Sequence, residues 1–377
     1  MPEEIPIEQF DSLEMHADVD YSATIADILG SAYSLIKEKR YEEARDLIKA
    51  HADQPMSRAQ RLRVNWVRVM AEIGLQQLDE AEEALGWMML TAVELEARDA
   101  IASAAFLFGE TMREHQLFES GLEYFEMALD MLHEREHYDH AFELDLLALI
   151  ASQRFMLGKY TAAEEAVRQA REVALHVADP TLSLAKADWV GALLCRWGGR
   201  LAEAQGIAER LYGVYKLYNS RTQIGRISLV LADIQMDIAA QFNQGAALRK
   251  KYFDTLSGVS QYILDALTMA REIGDPGCEG LALLANARLR RAFDASDDVL
   301  PLIAEAEQIA VETKDAGLLG QVYTAFGDAM LARGDDQDVQ EARTWYTEAI
   351  KRLRSTGAIA LTVWPLRGLE RLDRGND

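Results

Sequence analysis

Proline is nearly missing from this chain: only 7 occur in 377 residues, and none lies between Pro55 and Pro180. An interior proline costs a helix about 3 kcal/mol, so that gap leaves long helices free to form. Cysteine is scarcer still. Cys195 and Cys278 stand far apart, which excludes a disulfide framework and the Cys-x-x-Cys pairs of zinc and redox sites. No apolar run reaches the roughly 18 residues of a membrane span, and no basic segment followed by an apolar run opens the chain. Alternating β-branched runs are scarce, and there is no Gly-rich phosphate loop and no Gly-x-Ser-x-Gly elbow. Positive charge is also short, with 39 Lys and Arg against 62 Asp and Glu, a net of -23. Such a field repels phosphate backbones and anionic lipid, so neither nucleic acid nor membrane is expected as a partner. It favours a basic, polar or cationic-peptide partner and keeps a helical surface soluble. A soluble, cytoplasmic, all-α protein is the expectation.

What is present is repetition. A small or polar residue is followed two positions on by an aromatic or Leu, and three further on by a small residue. The phrase runs Lys39–Ala44, Gln76–Ala81, Gln116–Gly121, Gly158–Ala163 and Gly199–Ala204. Its central residues Tyr41, Leu78, Phe118, Tyr160 and Leu201 are 37, 40, 42 and 41 residues apart. A constant period in this range marks a stacked repeat architecture. Each repeat reads as two helices. In the first, Ile25, Ile28, Leu29, Ala32 and Leu35 form one apolar stripe and Ala44, Leu47 and Ile48 another, with Lys39-Arg40 at the turn. Gly109, Gly158, Gly199, Ala128 and Ala170 fit positions where paired helices approach closely, with the turn aromatic filling the wedge between them. No pair can cover its apolar faces alone, so neighbours must stack.

These residues resemble the tetratricopeptide repeat (TPR). The third unit carries Phe108-Gly109, Phe118, Gly121, Phe125 and Ala128; the fourth carries Gly158, Tyr160, Ala163 and Ala170. Phe326-Gly327, Gly334, Ala342, Tyr346 and Ala349 match again, with about two extra residues at the turn. The units exceed the family's roughly 34 residues and look like the longer-helix repeat arms of large bacterial regulators. The phrase Ala270 to Pro276 is similar to the inter-repeat turn there. The resemblance implies a right-handed α-solenoid of about eight helix pairs with a C-terminal capping helix. The expected divisions are an acidic arm (1–21), units one to five (22–220), degenerate units six and seven (221–314), unit eight (315–355), and a cap and tail (356–377). Gln241 to Lys251, with Asn243, Gly245 and the basic cluster Arg249-Lys250-Lys251, reads as a break. Asp297-Asp298 followed by Pro301 reads as a helix start.

One motif has a catalytic shape. His133-Glu134-Arg135-Glu136-His137 satisfies H-E-x-x-H, in which two histidines on one helix face hold zinc beside a general base. Counting from Ala128 puts residues 132–138 at an inter-repeat turn instead, where the histidines do not share a helix. Asp275-Pro276-Gly277-Cys278 reads as a buried Cys at a helix start rather than a reactive thiol. No metal or other cofactor is expected.

In the TPR family, helix A residues line the concave surface and bind extended peptides or partner helices. Carried over, those positions are Arg63, Trp66, Ser103, Phe106, Arg113, Lys186, Trp189, Arg196, Asn286 and Arg290. The clusters Arg58, Arg61, Arg63, Arg68 and Arg288, Arg290, Arg291 read as solvated faces, with local anion or acidic-peptide pockets as the alternative. The family's carboxylate-clamp set of Lys and Asn is not reproduced as a group. The expected function is a non-enzymatic scaffold or adaptor binding a protein or peptide in the groove, with homo-oligomerisation open. The alternative is a peptide- or ligand-sensing regulator acting in trans on an effector; a zinc hydrolase through His133, Glu134 and His137 is the remote third reading.

Overall fold

The computed structural model describes residues 23–135, 137–242, 246–293 and 299–374. The acidic arm, Glu136, Asn243, Gly245, Asp297-Asp298, the end of the tail and the Arg249 side chain lie outside the described residues. Among the described residues there are seventeen α-helices and no strand. The pairs are α1 (Ala23–Lys37) with α2 (Tyr41–Ala50), α3 (Arg58–Gly74) with α4 (Leu78–Glu94), and α5 (Arg98–Glu114) with α6 (Phe118–His133). Next come α7 (His140–Met156) with α8 (Tyr160–Val173), α9 (Thr181–Trp197) with α10 (Leu201–Leu217), and α11 (Arg221–Ala240) with α12 (Ala246–Ile273). The last are α13 (Pro276–Ala292) with α14 (Leu300–Glu312), α15 (Ala316–Arg333) with α16 (Asp336–Ser355), and the cap α17 (Val363–Arg374). The basic cluster expected in a break instead falls inside α12, which begins at Ala246. Among the described residues no helix is long and apolar enough to cross a membrane.

The turns explain the repeated phrase. Its first residue in each of the five copies, Lys39, Gln76, Gln116, Gly158 and Gly199, has a positive φ, between 60° and 75°. At Lys39 the amide donates to the Ile36 carbonyl (2.9 Å) and the next amide, of Arg40, to Leu35 (2.9 Å). That nested pair is the Schellman ending of a helix, repeated at Gly158-Lys159 and Gly199-Arg200. The phrase therefore reads as a left-handed helix stop, the opening of helix B, and a small residue in the core: Ala44, Ala81, Ala163 and Ala204 are fully buried.

This corrects the role expected of two glycines. Gly158 and Gly199 serve the left-handed backbone of the turn (φ 72° and 75°) rather than close approach of the paired helices; a Cβ at Gly199 would meet nothing within 4 Å, and one at Gly158 would stand 3.1 Å from Ile359, outside its helix pair. Substitution of Gly199 by Val therefore tests backbone strain with no clash around it. A loss of about 1–3 kcal/mol in unfolding free energy is expected by chemical denaturation, and an unchanged midpoint would contradict this account of the turn.

Close approach is real elsewhere. A Cβ at Gly109 would stand 2.7 Å from the Phe125 ring, and one at Gly327 would stand 2.6 Å from Tyr346. In both pairs a glycine of helix A receives the aromatic of helix B. The turn aromatic can also reach forward: Tyr41 packs on Gly74 of the next pair's helix A, where a Cβ would lie 2.4 Å from the ring. Between pairs, Asp275 and Asp315 cap α13 and α15, accepting from the amides of Cys278 (3.0 Å) and Leu318 (2.8 Å).

The described residues form two compact units, those within 1–115 together with 120–139, and those within 116–119 together with 140–377. The first has a core around Trp66, Leu85, Met88 and Phe108. The second buries successive clusters, among them those centred on Ile207 and Leu231, on Leu256 and Ile263, and on Ile303 and Tyr346.

Candidate functional site

The α11 helix of the second unit is apolar along most of its length, with Leu231, Ile234 and Met236 buried. Two carboxylates one turn apart, Asp233 and Asp237, interrupt it. Carboxylates in such surroundings need partners. Arg196 of α9 supplies Nη1 at 2.8 Å from Asp233 and Nε at 2.6 Å from Asp237. Arg288 of α13 supplies Nη1 at 3.0 Å from Asp233 and Nη2 at 2.5 Å from Asp237. Two guanidiniums and two carboxylates thus brace the A helices of pairs five, six and seven. The Arg196 side chain is 5% exposed. Burial opposes ionisation of Asp237 most strongly, but Arg196 and Arg288 together outweigh it and hold the carboxyl below its ordinary range.

A second hub forms on α15. Asp328 accepts from Arg291 of α13 at 3.0 Å, from Arg371 of α17 at 2.9 Å and from the Tyr346 hydroxyl of α16 at 2.7 Å. Its carboxyl is likewise lowered, burial being overcome by Arg291, Arg371 and the hydroxyl. Between the two hubs stands Trp364 of α17. Its ring lies 5.3 Å from the Arg196 guanidinium, 5.7 Å from Arg288 and 5.2 Å from Arg367. Trp197 meets it edge-on at 5.6 Å, and Phe155 meets Trp197 at 5.4 Å.

Most of these side chains, though not Asp237 or Tyr346, border one groove of about 960 Å³ within the second unit, lined mainly by A helices of pairs four to eight and by the cap. Apolar surface comes from Trp189, Leu193, Leu229, Val230, Leu281 and Leu284. Cys278 also lines it, but burial first and Asp275 second push its thiol up to about 11. At neutral pH it is a protonated thiol, a poor nucleophile. The arrangement suits recognition: an apolar surface with guanidiniums and indoles held by fixed partners.

Of the ten residues taken from the family positions, the groove brings together Trp189 and Arg196. Lys186 is exposed and paired to Asp145 at 3.0 Å; Arg290 is exposed and Asn286 half-buried, and neither lines the groove. The other five lie in the first unit. Trp66 is 3% exposed and Ser103 4%, so both serve the core there and are no surface anchors. Phe106 is half-buried 6.1 Å from Phe125, Arg63 is half-buried, and Arg113 is held by Glu110 at 2.9 Å and 3.0 Å. Arg288 and Arg291, expected as a solvated face, are instead paired inside the groove. Neither the family positions nor the motifs single out Asp233, Asp237, Asp328, Trp364, Arg367 or Arg371 as site residues. The available signal was a pair of Asp residues at i, i+4 on an otherwise apolar helix, which requires cations from elsewhere.

The H-E-x-x-H motif is divided by a helix end. The α6 helix stops at His133, α7 begins at His140, and His137 lies in the connection. The His133 ring lies tilted against Tyr138, 5.4 Å away. Among the described residues no group of three or more His, Cys, Asp or Glu is arranged to hold a metal ion.

The fold is that of a TPR-like array of helix pairs, and its second unit carries a charged, aromatic groove. Solved structures share that fold at low identity. The chain is similar to a Rap protein complexed with Competence and Sporulation Factor, at 12% identity and TM-score 0.57, over 94% of this chain and 99% of that one. It is similar to the Rap conjugation gene regulator of plasmid pLS20 in complex with the Phr* peptide, at 10% identity and TM-score 0.55, over 94% and 97%. Aspartyl phosphate phosphatase F from Bacillus subtilis matches at 11% identity and TM-score 0.50, over 95% of each chain. No protein-family model matches the chain, and no curated protein does.

Proposed function

We propose that this protein is a non-enzymatic, peptide-binding TPR-like protein that takes an extended peptide in the groove of its second unit. The observation that carries this reading is the groove itself, in which five successive A helices and the cap present Trp189, Trp197, Trp364 and paired guanidiniums. Large aromatic and Arg side chains concentrate binding energy where water is excluded. Two structures of the same fold are complexes with peptide factors, a Competence and Sporulation Factor and a Phr* peptide, which supports a peptide as occupant. One of those proteins is a gene regulator, so a sensor that acts in trans on an effector is the second reading. One structure of the same fold is an aspartyl phosphate phosphatase, an activity that belongs to that protein and forms no part of the binding role proposed for this groove. Of the family-derived positions, Trp189 remains a proposed contact, and the buried Arg196 braces the groove wall beside it. Two free, buried thiols support a reducing compartment, the cytoplasm.

The test is capture of peptides from a size-fractionated cell extract on immobilised protein, identified by mass spectrometry. Wild type should retain discrete peptides, and Trp189→Ala or Trp364→Ala should lose them while the fold persists. Retention unaffected by either substitution would sink the groove reading. Adding a captured peptide to a preformed protein complex separates the two roles: a sensor releases its partner and a scaffold does not.

A further inference from the structure

The charge of the groove is uneven along its length. In the brace, two guanidiniums meet two carboxylates and the sum is zero. At the cap end, Arg291, Arg367, Arg371 and Arg374 line the groove with Asp328 and Glu370, and Asp315 lines it from the start of α15, so among the described lining residues there four guanidiniums stand against three carboxylates. Asp328 is shared by Arg291 and Arg371 and also accepts from Tyr346, so its acceptors are engaged while each guanidinium keeps donors in hand. Arg367, Arg371 and Arg374 recur at i, i+4 and i+7, on one face of α17. Among the described residues Arg367 meets the Trp364 ring and no carboxylate.

On the reading that this groove binds peptides, we propose that its cap end selects an acidic one, seating an Asp, Glu or terminal carboxylate against Arg367 and Arg371 with the adjoining apolar side chain on Trp364. This reverses the preference that the chain's total of -23 suggests. Screening makes the reversal physical: at physiological ionic strength charges beyond about 8 Å are largely masked, so the local guanidiniums decide. A guanidinium fork also matches a carboxylate bidentately.

The experiment passes a random hexapeptide pool over the immobilised full chain, once with free C-termini and once with amidated ones. The retained peptides are then sequenced. Wild type should enrich Asp and Glu over Lys and Arg by about tenfold, and Arg367→Glu with Arg371→Glu should erase or invert that bias. Arg367→Gln alone leaves the Asp328 contacts intact and should lower the bias several-fold with no change in melting temperature. Enrichment in the free-acid pool alone assigns the site to a terminal carboxylate; enrichment in both assigns it to side chains. Enrichment of Lys and Arg, or an acidic bias untouched by these substitutions, overturns the acidic selectivity while peptide binding stands. Retention of no peptide from either pool overturns the underlying groove reading as well.

Discussion

Replacing Tyr346 with Ala should lower the unfolding free energy of the second unit by about 3–5 kcal/mol. The ring is fully buried between two helices that each offer it a glycine: a Cβ at Gly327 would stand 2.6 Å away and one at Gly368 only 2.3 Å. Such a site cannot collapse easily, because the neighbouring backbones are held apart by α15 and α17 packing on α16. The hydroxyl adds a polar term, since Asp328 loses one of its three donors when it goes. Tyr346→Phe isolates that term and should cost only about 1–2 kcal/mol. Gly368→Val should act from the other side by pushing the cap away from the ring. Because α17 carries Trp364, Arg367 and Arg371, this variant should also lose peptide retention. Chemical denaturation and the capture experiment measure the two effects separately. A Tyr346→Ala protein with wild-type stability would mean that the cap does not rest on this ring.

The second large effect is expected at the brace. Asp237→Asn leaves Arg196 and Arg288 with Asp233 as their remaining carboxylate in a largely buried setting. Breaking a buried pair costs about 3–5 kcal/mol, and the surviving Asp233 reduces this to about 2–4 kcal/mol. The pH dependence has a definite sign. The folded carboxyl titrates below its unfolded value near 4. Its contribution is therefore complete above that unfolded value and is lost as pH falls through the lower folded one. The stability gap between wild type and Asp237→Asn should be constant from pH 7 to about 5 and should narrow only below about pH 4. Asp328 obeys the same sign, since its carboxyl is also lowered. A gap that widened toward acid would contradict the assigned protonation. Since the brace ties three consecutive A helices together, Asp237→Asn should also reduce peptide retention without touching the aromatic surface.

Much of this architecture could be read from one chain. The phrase beginning at Lys39, Gln76, Gln116, Gly158 and Gly199 marks five helix stops because a left-handed residue and a buried small residue have to fall five positions apart. That is local physics, set by backbone sterics and the 3.6-residue turn, and the pairs follow from it. The glycine at 109 and the aromatic at 125 are a second such signal. The candidate site was far less legible. Trp66 and Arg113 occupy helix A positions in a well-formed repeat, yet Trp66 is core and Arg113 is held by Glu110 three residues away. Position within a repeat states which helix a side chain leaves, and burial then depends on the neighbouring pair.

By itself, then, the sequence determined the all-helical class, the period, the turn residues and the small-to-aromatic contacts within pairs, because each rests on interactions inside about 40 residues. Only the tertiary structure decided which charges meet. Arg196 and Asp237 are 41 residues apart, Arg288 and Asp233 are 55 apart, and Arg371 and Asp328 are 43 apart. Nothing local distinguishes these arginines from the solvated ones at Arg58 or Arg290. Burial made the difference: stacking the pairs removed water from α11 and α15, and the carboxylates there could stay ionised only beside guanidiniums brought by other helices.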